Sequence, residues 1–128
     1  MIDWAEKVRV TVGSVSLEVP AVLANGQDPA IDSAAAVLRG HGLTVIVDQG
    51  PFADRLDAMT GRPGYVETAG RIAGRAARIV TFRGEAPGSH TVAAHLPAPD
   101  SVTVVVQAEG SVPERIGRGI VESLRLRD

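Results

Sequence analysis

Histidines are the first residues to consider for chemistry, because the sequence contains three of them and no cysteine. His90 and His95 lie five residues apart in a strand-like segment. An odd spacing on a strand places two side chains on opposite faces. His41 lies between two glycines, as is typical of an exposed turn. The histidines are therefore not expected to chelate one metal ion, and the lack of cysteine excludes thiolate ligands, thiol nucleophiles and disulfides.

Three carboxylates, Asp48, Asp54 and Asp57, lie around the break at Gly50-Pro51. Asp48 ends a strongly apolar segment, and active sites often lie where such strands end. A hydrolase interpretation requires Asp48 within about 3 Å of a histidine, or one bridging water away. The structural interpretation is that Asp48 accepts hydrogen bonds from turn amides. The sequence has no Asp-x-Asp-x-Asp pattern of the kind that binds calcium.

Serine and glycine motifs give no catalytic or cofactor-binding pattern. Ser14, Ser89 and Ser111 follow glycines, but none lies in Gly-x-Ser-x-Gly. The segment 117–119, Gly-Arg-Gly, lacks the third glycine of a dinucleotide fingerprint. Phosphate-binding loops of the Walker type are absent. No catalytic, metal-binding or cofactor-binding residue is therefore assigned from the sequence.

Arginines give the one charge feature of interest. Five of the twelve fall within residues 62–83, where Glu67 is the only acid: Arg62, Arg71, Arg75, Arg78 and Arg83. Residues 28–57 are the reverse, with five aspartates against two arginines. One interpretation is complementary charge on neighbouring strands and loops, which contributes little per surface pair. The other is a patch for an anionic partner, such as an acidic protein surface or a phosphate.

Composition limits the classes of function. The 128 residues predict one domain, 1–128, with 45 % hydrophobic and 22 % charged residues. The net charge of −2 gives no overall attraction to nucleic acid, and 3 % aromatics argues against stacking sites for single-stranded nucleic acid or sugars. No apolar run approaches the ~20 residues of a membrane span. The charged N-terminus favours the cytoplasm if the chain is full length, or the periplasm if a signal peptide has been removed.

Alternating apolar residues predict a series of strands. Residues 8–12 and 15–19 alternate around Gly13-Ser14, which predicts a hairpin with a two-residue turn. The almost uniformly apolar segment 43–48 predicts a central strand that is buried on both sides. Further strands are expected over 65–69, 76–82, 90–96 and 101–107. Residues 33–39 fit either a short helix or an edge strand, and 52–59 fit a helical turn or a packed loop.

A C-terminal amphipathic helix is the clearest element. Ser111 and Glu114 have the spacing of a capping box, which predicts a helix start near Ser111. One apolar stripe follows at four-residue spacing: Val112, Ile116, Ile120 and Leu124. Gly117 and Gly119 each lower helix propensity by about 1 kcal/mol, so we expect both to face the sheet at a close contact.

These elements predict an α+β fold. Connections between the strands are too short for repeated parallel crossovers, so we expect a single, mostly antiparallel sheet of about six to seven strands. The C-terminal amphipathic helix is expected to pack on one face of this sheet.

This order of elements resembles the small bacterial and plastid α+β domains of the PsbP-like type. The segments that carry the resemblance are 15–20 (VSLEVP), the strand from Gly74 to Phe82, and 120–124 (IVESL). Segments 31–33 (IDS) and 48–52 (DQGPF) are similar to short sequence segments of uncharacterised bacterial proteins with that fold. The resemblance implies a non-catalytic binding or assembly module and carries over no site residue.

The sequence thus favours a non-enzymatic domain that binds a protein partner. The alternative is a small-molecule-binding protein or a small hydrolase that uses Asp48 with a histidine. No cofactor, nucleic acid or membrane span is expected. The oligomeric state stays open, including whether the chain forms a homodimer.

Overall fold

The computed structural model describes residues 4–24, 30–31, 35–50, 56, 59–84, 86–97 and 101–126. The elements, in chain order, are β1 (Lys7–Val12), β2 (Val15–Pro20), α1 (Ala21–Ala24), β3 (Ala30–Ile31), β4 (Ala35–Gly40), β5 (Leu43–Gln49), β6 (Val66–Ile72), β7 (Arg75–Arg83), β8 (His90–Leu96), β9 (Val102–Ala108), α2 (Glu114–Glu122) and β10 (Arg125–Leu126). The predicted α+β class with antiparallel strands is confirmed, and β3, β10 and α1 were not predicted.

The larger sheet has six antiparallel strands in the order β4-β5-β9-β8-β7-β6. Two of its connections are two-residue turns, His41-Gly42 and Ala73-Gly74, and all four residues have positive φ. Positive φ at both positions is typical of type I′ turns, whose twist matches that of the flanking strands. The turn at 41–42 settles part of the ambiguity over 33–39, because the described residues 35–39 belong to strand β4 and pair with β5. Positions 33–34 and most of 52–59 lie outside the described residues.

The predicted N-terminal hairpin forms, but it belongs to a second sheet in the order β10-β2-β1-β3. The expectation of a single sheet is therefore wrong. Both edges of the hairpin have their own partners, because β10 pairs with β2 and the short β3 pairs in parallel with β1. Alternation shows which face of a strand is apolar, but it does not show which strand lies at its edge.

Two faces of the larger sheet are covered differently. The helix-side face carries side chains that share one core with β1, β2 and α2: Leu38, Val45, Val47, Val92, Ala94, Val104 and Val106. On the far face, Val80, Ala93 and Val105 pack around Leu56. Strand β5 was expected to be buried on both sides, but its far-face residues are only partly buried, since it lies beside the edge strand β4.

Helix α2 packs on β8, β9 and β2, and the predicted apolar stripe is buried as expected. The capping box is wrong. The helix begins at Glu114 with Pro113 as N-cap, and no side chain bonds to the cap. A residue before proline is driven to an extended conformation, so Val112 cannot begin a helix. Leu124 is buried beyond the last helical residue, Glu122.

The two glycines of α2 differ in their surroundings. A Cβ built on Gly117 would lie 3.3 Å from Val106 Cγ1 and 3.4 Å from Val92 Cγ2, so the expected close contact with the sheet is present. At Gly119, Lys7 Nζ at 4.0 Å is the only atom of the described residues within reach of such a Cβ, and the expectation that Gly119 faces the sheet is wrong. Residues that are two positions apart on a helix are rotated by about 200° around its axis, so Gly117 and Gly119 cannot share one face.

Ser123 joins the C-terminal end of α2 to the smaller sheet. Its hydroxyl donates to the Ile120 carbonyl over 2.6 Å and accepts the Glu18 amide proton over 2.8 Å. The Arg9 guanidinium donates to the Ser123 carbonyl from two nitrogens, each at 3.3 Å. A cation at a helix C-terminus is favourable, because the carbonyl ends carry partial negative charge.

Neither described helix is long and apolar enough to cross a membrane. Across the ranges given above, no cluster of three or more His, Cys, Asp or Glu residues is arranged to hold a metal ion.

Candidate functional site

The three histidines occupy separate places. His41 lies exposed in the turn between β4 and β5. On β8, His90 lies on the helix-side face, two residues before the core residue Val92, whereas His95 lies on the far face beside Arg78 and Thr103 in register. The odd spacing therefore predicted the opposite faces correctly.

Asp48 and His95 share a row of the far face, with Thr103 between them. Asp48 is opposite Thr103, and Thr103 is opposite His95. Two strand spacings separate the Asp48 and His95 backbones by about 9–10 Å. His95 Nδ1 lies 2.9 Å from Thr103 Oγ1. Thr103 thus lies between the two side chains that the hydrolase interpretation pairs, and Asp54 and Asp57 lie outside the described residues.

A polar cluster continues this face toward the edge strand. Tyr65 donates its phenolic proton to Glu67 Oε1 over 2.6 Å. The Arg78 guanidinium donates to the same oxygen from Nε at 2.9 Å and forms an ion pair with it from Nη2 at 2.8 Å. The hydrogen bond to Glu67 raises the pKa of Tyr65, and burial adds to this, while Arg78 opposes it. Glu67 thus offsets much of the charge of Arg78.

The five arginines that were predicted as one patch lie at different places. Arg71 donates to the Gly74 carbonyl and Arg75 to the Pro97 carbonyl, both at the end with the β6–β7 turn. Arg62 lies at the other end, 5.5 Å from the centroid of the Phe82 ring, and Arg83 ends β7 there. The nine residues of β7, from 75 to 83, span roughly 27 Å of strand. An anion site must therefore be built from a subset of the five.

Three adjoining clefts surround His90 where β7 ends and where β8 and α2 begin. Their volumes are about 440, 380 and 400 Å³, and His90 lines all three. We call them the His90 clefts. Their exposed arginines come from four parts of the chain, namely β4, the loop before β6, β7 and α2: Arg39, Arg62, Arg83, Arg115 and Arg118. The exposed acids among the described residues that line them are Glu109 and Glu114, so positive charge is in excess.

The imidazole of His90 has one nitrogen that is available to bond a ligand. Its Nε2 is buried and has no hydrogen-bond partner among the residues that the structure describes. A buried polar group without a partner costs about 1–3 kcal/mol, and almost all such groups in proteins are bonded. An external acceptor or donor that reached Nε2 from the clefts would remove this cost.

The turn before β8 holds His90 in place. Gly84 donates its amide proton to the Ser89 carbonyl over 2.9 Å, and Ser89 donates its own to the Ala86 carbonyl over 3.1 Å. The Ser89 hydroxyl donates to the same Ala86 carbonyl over 2.7 Å. The Ser89 hydroxyl thus stabilises its own turn, whereas the adjacent His90 side chain lines the clefts.

Sequence reasoning found Arg62 and Arg83 of this site, but it missed the importance of His90, Arg39 and Arg115. Nothing in the local pattern marks these residues, because β4, β8 and α2 are far apart in the chain. The order of the strands and the packing of α2 on β8 and β9 bring them to one end.

No family model matches the sequence, and no curated protein matches it at a significant level. The resemblance to PsbP-like domains therefore stays a prediction. It rests on short segments and on the order of elements, in which a hairpin precedes an antiparallel sheet and a final helix.

Proposed function

We propose that this protein is a non-enzymatic interaction domain, and that it binds an acidic segment of a protein partner in the His90 clefts. The observation that carries the proposal is the buried, unbonded Nε2 of His90 at the centre of an arginine-rich surface. The module that the PsbP-like resemblance implies is of the same non-catalytic kind.

Carboxylates suit this surface chemically. A protonated Nε2 can only donate, and a carboxylate only accepts. Guanidinium groups bind carboxylates through two parallel hydrogen bonds, which add specificity as well as affinity. Because Arg39 and Arg62 lie in one cleft and Arg115 and Arg118 in another, an acidic segment with several carboxylates can contact both.

A protein partner fits better than a nucleic acid. The net charge of −2 gives only a local positive surface on an acidic chain. Single-stranded nucleic acids need exposed aromatic rings for stacking. Phe82 is buried, and the Arg62 guanidinium lies over its ring.

Small-molecule binding is a second candidate, since cleft volumes of about 380–440 Å³ are within the usual range for small ligands. Here the ligand would be a small anion rather than an acidic segment. A hydrolase that uses Asp48 and His95 would have to act across Thr103, so the geometry gives it less support.

The test is a titration of isotope-labelled protein with a peptide of six glutamates, followed by NMR. We expect saturable shifts of the His90 ring and of the Arg83 and Arg115 amides, which disappear at high salt. A peptide of six glutamines is the neutral control, and inorganic phosphate is the small-anion control. Saturation by phosphate without binding of the acidic peptide would favour the second candidate, and binding of neither anion would overturn both.

Charge-neutralising variants locate the surface. Arg83→Gln and Arg115→Gln are each expected to weaken peptide binding about five- to tenfold, which corresponds to the roughly 1 kcal/mol of one exposed contact. Arg125→Gln is the matched control, because Arg125 is exposed and lies beyond the opposite end of α2. Equal weakening by all three variants would show non-specific charge attraction and would contradict the proposed site.

A further inference from the structure

Strand β6 is the outer strand of the larger sheet, and it is unusually open. Five of its seven residues are exposed, and Val66 is 56 % exposed. Within the described part of the chain, no strand pairs with its outer edge. Proteins usually protect such an edge with proline, lysine or a bulge, but β6 has no proline or lysine and pairs with β7 in unbroken register.

The hairpin register shows which backbone groups point outward. Ile72 and Arg75 flank the two-residue turn, so they form a hydrogen-bonded pair, and such pairs alternate along an antiparallel ladder. The amide and carbonyl groups of Glu67, Ala69 and Arg71 therefore face the outer edge. They offer three donors and three acceptors to another strand.

The sequence of β6, VETAGRI, is complementary to itself in antiparallel order. A two-fold axis at Ala69 would place Glu67 opposite Arg71 of the second copy, and Val66 opposite Ile72 of the second copy. We propose that β6 pairs in this register with β6 of a second copy of the chain, so that two six-stranded sheets form one sheet of twelve strands.

Charge complementarity is the reason to choose a second copy as the occupant. The axis creates two Glu67–Arg71 pairs between the chains, on the same face of the joined sheet. The Glu67 side chain bonds to Arg78 but remains 46 % exposed, so its carboxylate can accept further hydrogen bonds. The exposed Arg71 side chain donates to the Gly74 carbonyl in its own turn.

The other edge strand, β4, lacks this complementarity. By the same turn argument, its outward groups belong to Ala35, Val37 and Arg39. Antiparallel pairing about Val37 would place each Arg39 opposite an alanine of the second copy. The inference therefore applies to β6, and it is independent of the His90 clefts.

Sedimentation velocity over a range of concentrations tests the dimer. Arg71→Glu and Glu67→Lys each replace two attractive pairs with two repulsive ones, so each should weaken dimerisation by about ten- to a hundredfold. An equimolar mixture of the two variants restores opposite charges at every pair and should form a heterodimer. Arg39→Glu makes the same charge change on the β4 edge and should leave the dimer unchanged.

A single cysteine tests the register directly, since the protein has none of its own. Facing residues in a hydrogen-bonded antiparallel pair have Cα atoms about 5.5 Å apart, which a disulfide can span. Ala69→Cys should thus cross-link under mild oxidation, whereas Thr68→Cys, displaced from the axis, should not.

Circular dichroism confirms that each variant folds. If Glu67→Lys does not fold, Ala69→Cys and Arg71→Glu are sufficient to test the dimer. A wild type that is monomeric at the highest attainable concentration, or a dimer weakened by Arg39→Glu but not by Arg71→Glu, would overturn the inference.

Discussion

The surroundings of Tyr65 have an effect that can be measured directly, namely a change in the pKa of its phenol group. It is the only tyrosine, so a spectrophotometric titration of phenolate reports on this side chain alone. Its hydrogen bond to Glu67 raises its pKa above the ordinary value. The folded state thus holds the phenolic proton more tightly than the unfolded chain.

We expect Glu67→Gln to lower the pKa of Tyr65, because it removes the charged acceptor. Arg78→Gln should raise it further, because Arg78 favours the phenolate. The stabilisation that accompanies the raised pKa is complete below the unfolded value of about 10 and is lost as pH rises through the folded value. An unchanged titration midpoint in Glu67→Gln would contradict the assigned cause.

Ala73 is a second residue with a specific local effect, because it has a φ of 55° in the β6–β7 turn. An L-residue other than glycine, asparagine or aspartate pays roughly 1–2 kcal/mol in this conformation. Ala73→Asn creates the Asn-Gly pair that type I′ turns prefer, and it should stabilise the protein by about 0.5–1 kcal/mol. Urea unfolding measures the gain, and Ala76→Asn, at an exposed position on β7, should show none. Equal effects of the two changes would mean that the turn conformation carries no strain.

At the scale of elements, the glycines of α2 give opposite predictions. Gly119→Ala should stabilise the protein by about 1 kcal/mol, since alanine favours helix and, among the described residues, only the flexible Lys7 side chain comes within 4.0 Å. Gly117→Ala should destabilise it by about 1 kcal/mol, because overpacking against Val106 and Val92 costs more than the gain in propensity. Thermal unfolding of both variants measures the difference. A gain from both would show that the sheet relaxes freely around the new methyl group.

Periodicity predicted most elements, and neighbouring residues or distant strands decided the rest. The alternation over 8–12 and 15–19 predicted the hairpin, and the stripe of α2 predicted its buried face. Pro113, which is itself extended and serves as the N-cap, overrode the capping box, since a proline disfavours a helical conformation in the residue before it. Which edges meet depends on contacts between distant segments, so neither the second sheet nor the assembly of the His90 clefts could be derived from a linear pattern.

At the scale of the whole molecule, Ser123 connects the smaller sheet to the helix that covers the larger one. Ser123→Ala leaves the part-buried Glu18 amide without its acceptor and should cost about 1–2 kcal/mol. Ser111→Ala is the matched control. Because Ser111 is exposed and makes no cap bond, its loss should change the free energy of unfolding by less than about 0.5 kcal/mol. A larger loss from Ser111→Ala than from Ser123→Ala would restore the capping box and contradict the structure.

Strand order in the larger sheet also sets a sequence of events during folding. Strands β6, β7, β8 and β9 are neighbours in the chain as well as in the sheet. Strand β5 is the neighbour of β9 in the sheet, but β6, β7 and β8 lie between the two in the chain, as the pairing of Leu43 with Ala108 shows. Closing such a long loop is entropically costly, so we expect the four-stranded meander to form first and the β4–β5 hairpin to add to it later. Pulse-labelling hydrogen exchange during refolding should protect the amides between β7 and β8 before those between β5 and β9, and simultaneous protection would contradict this order.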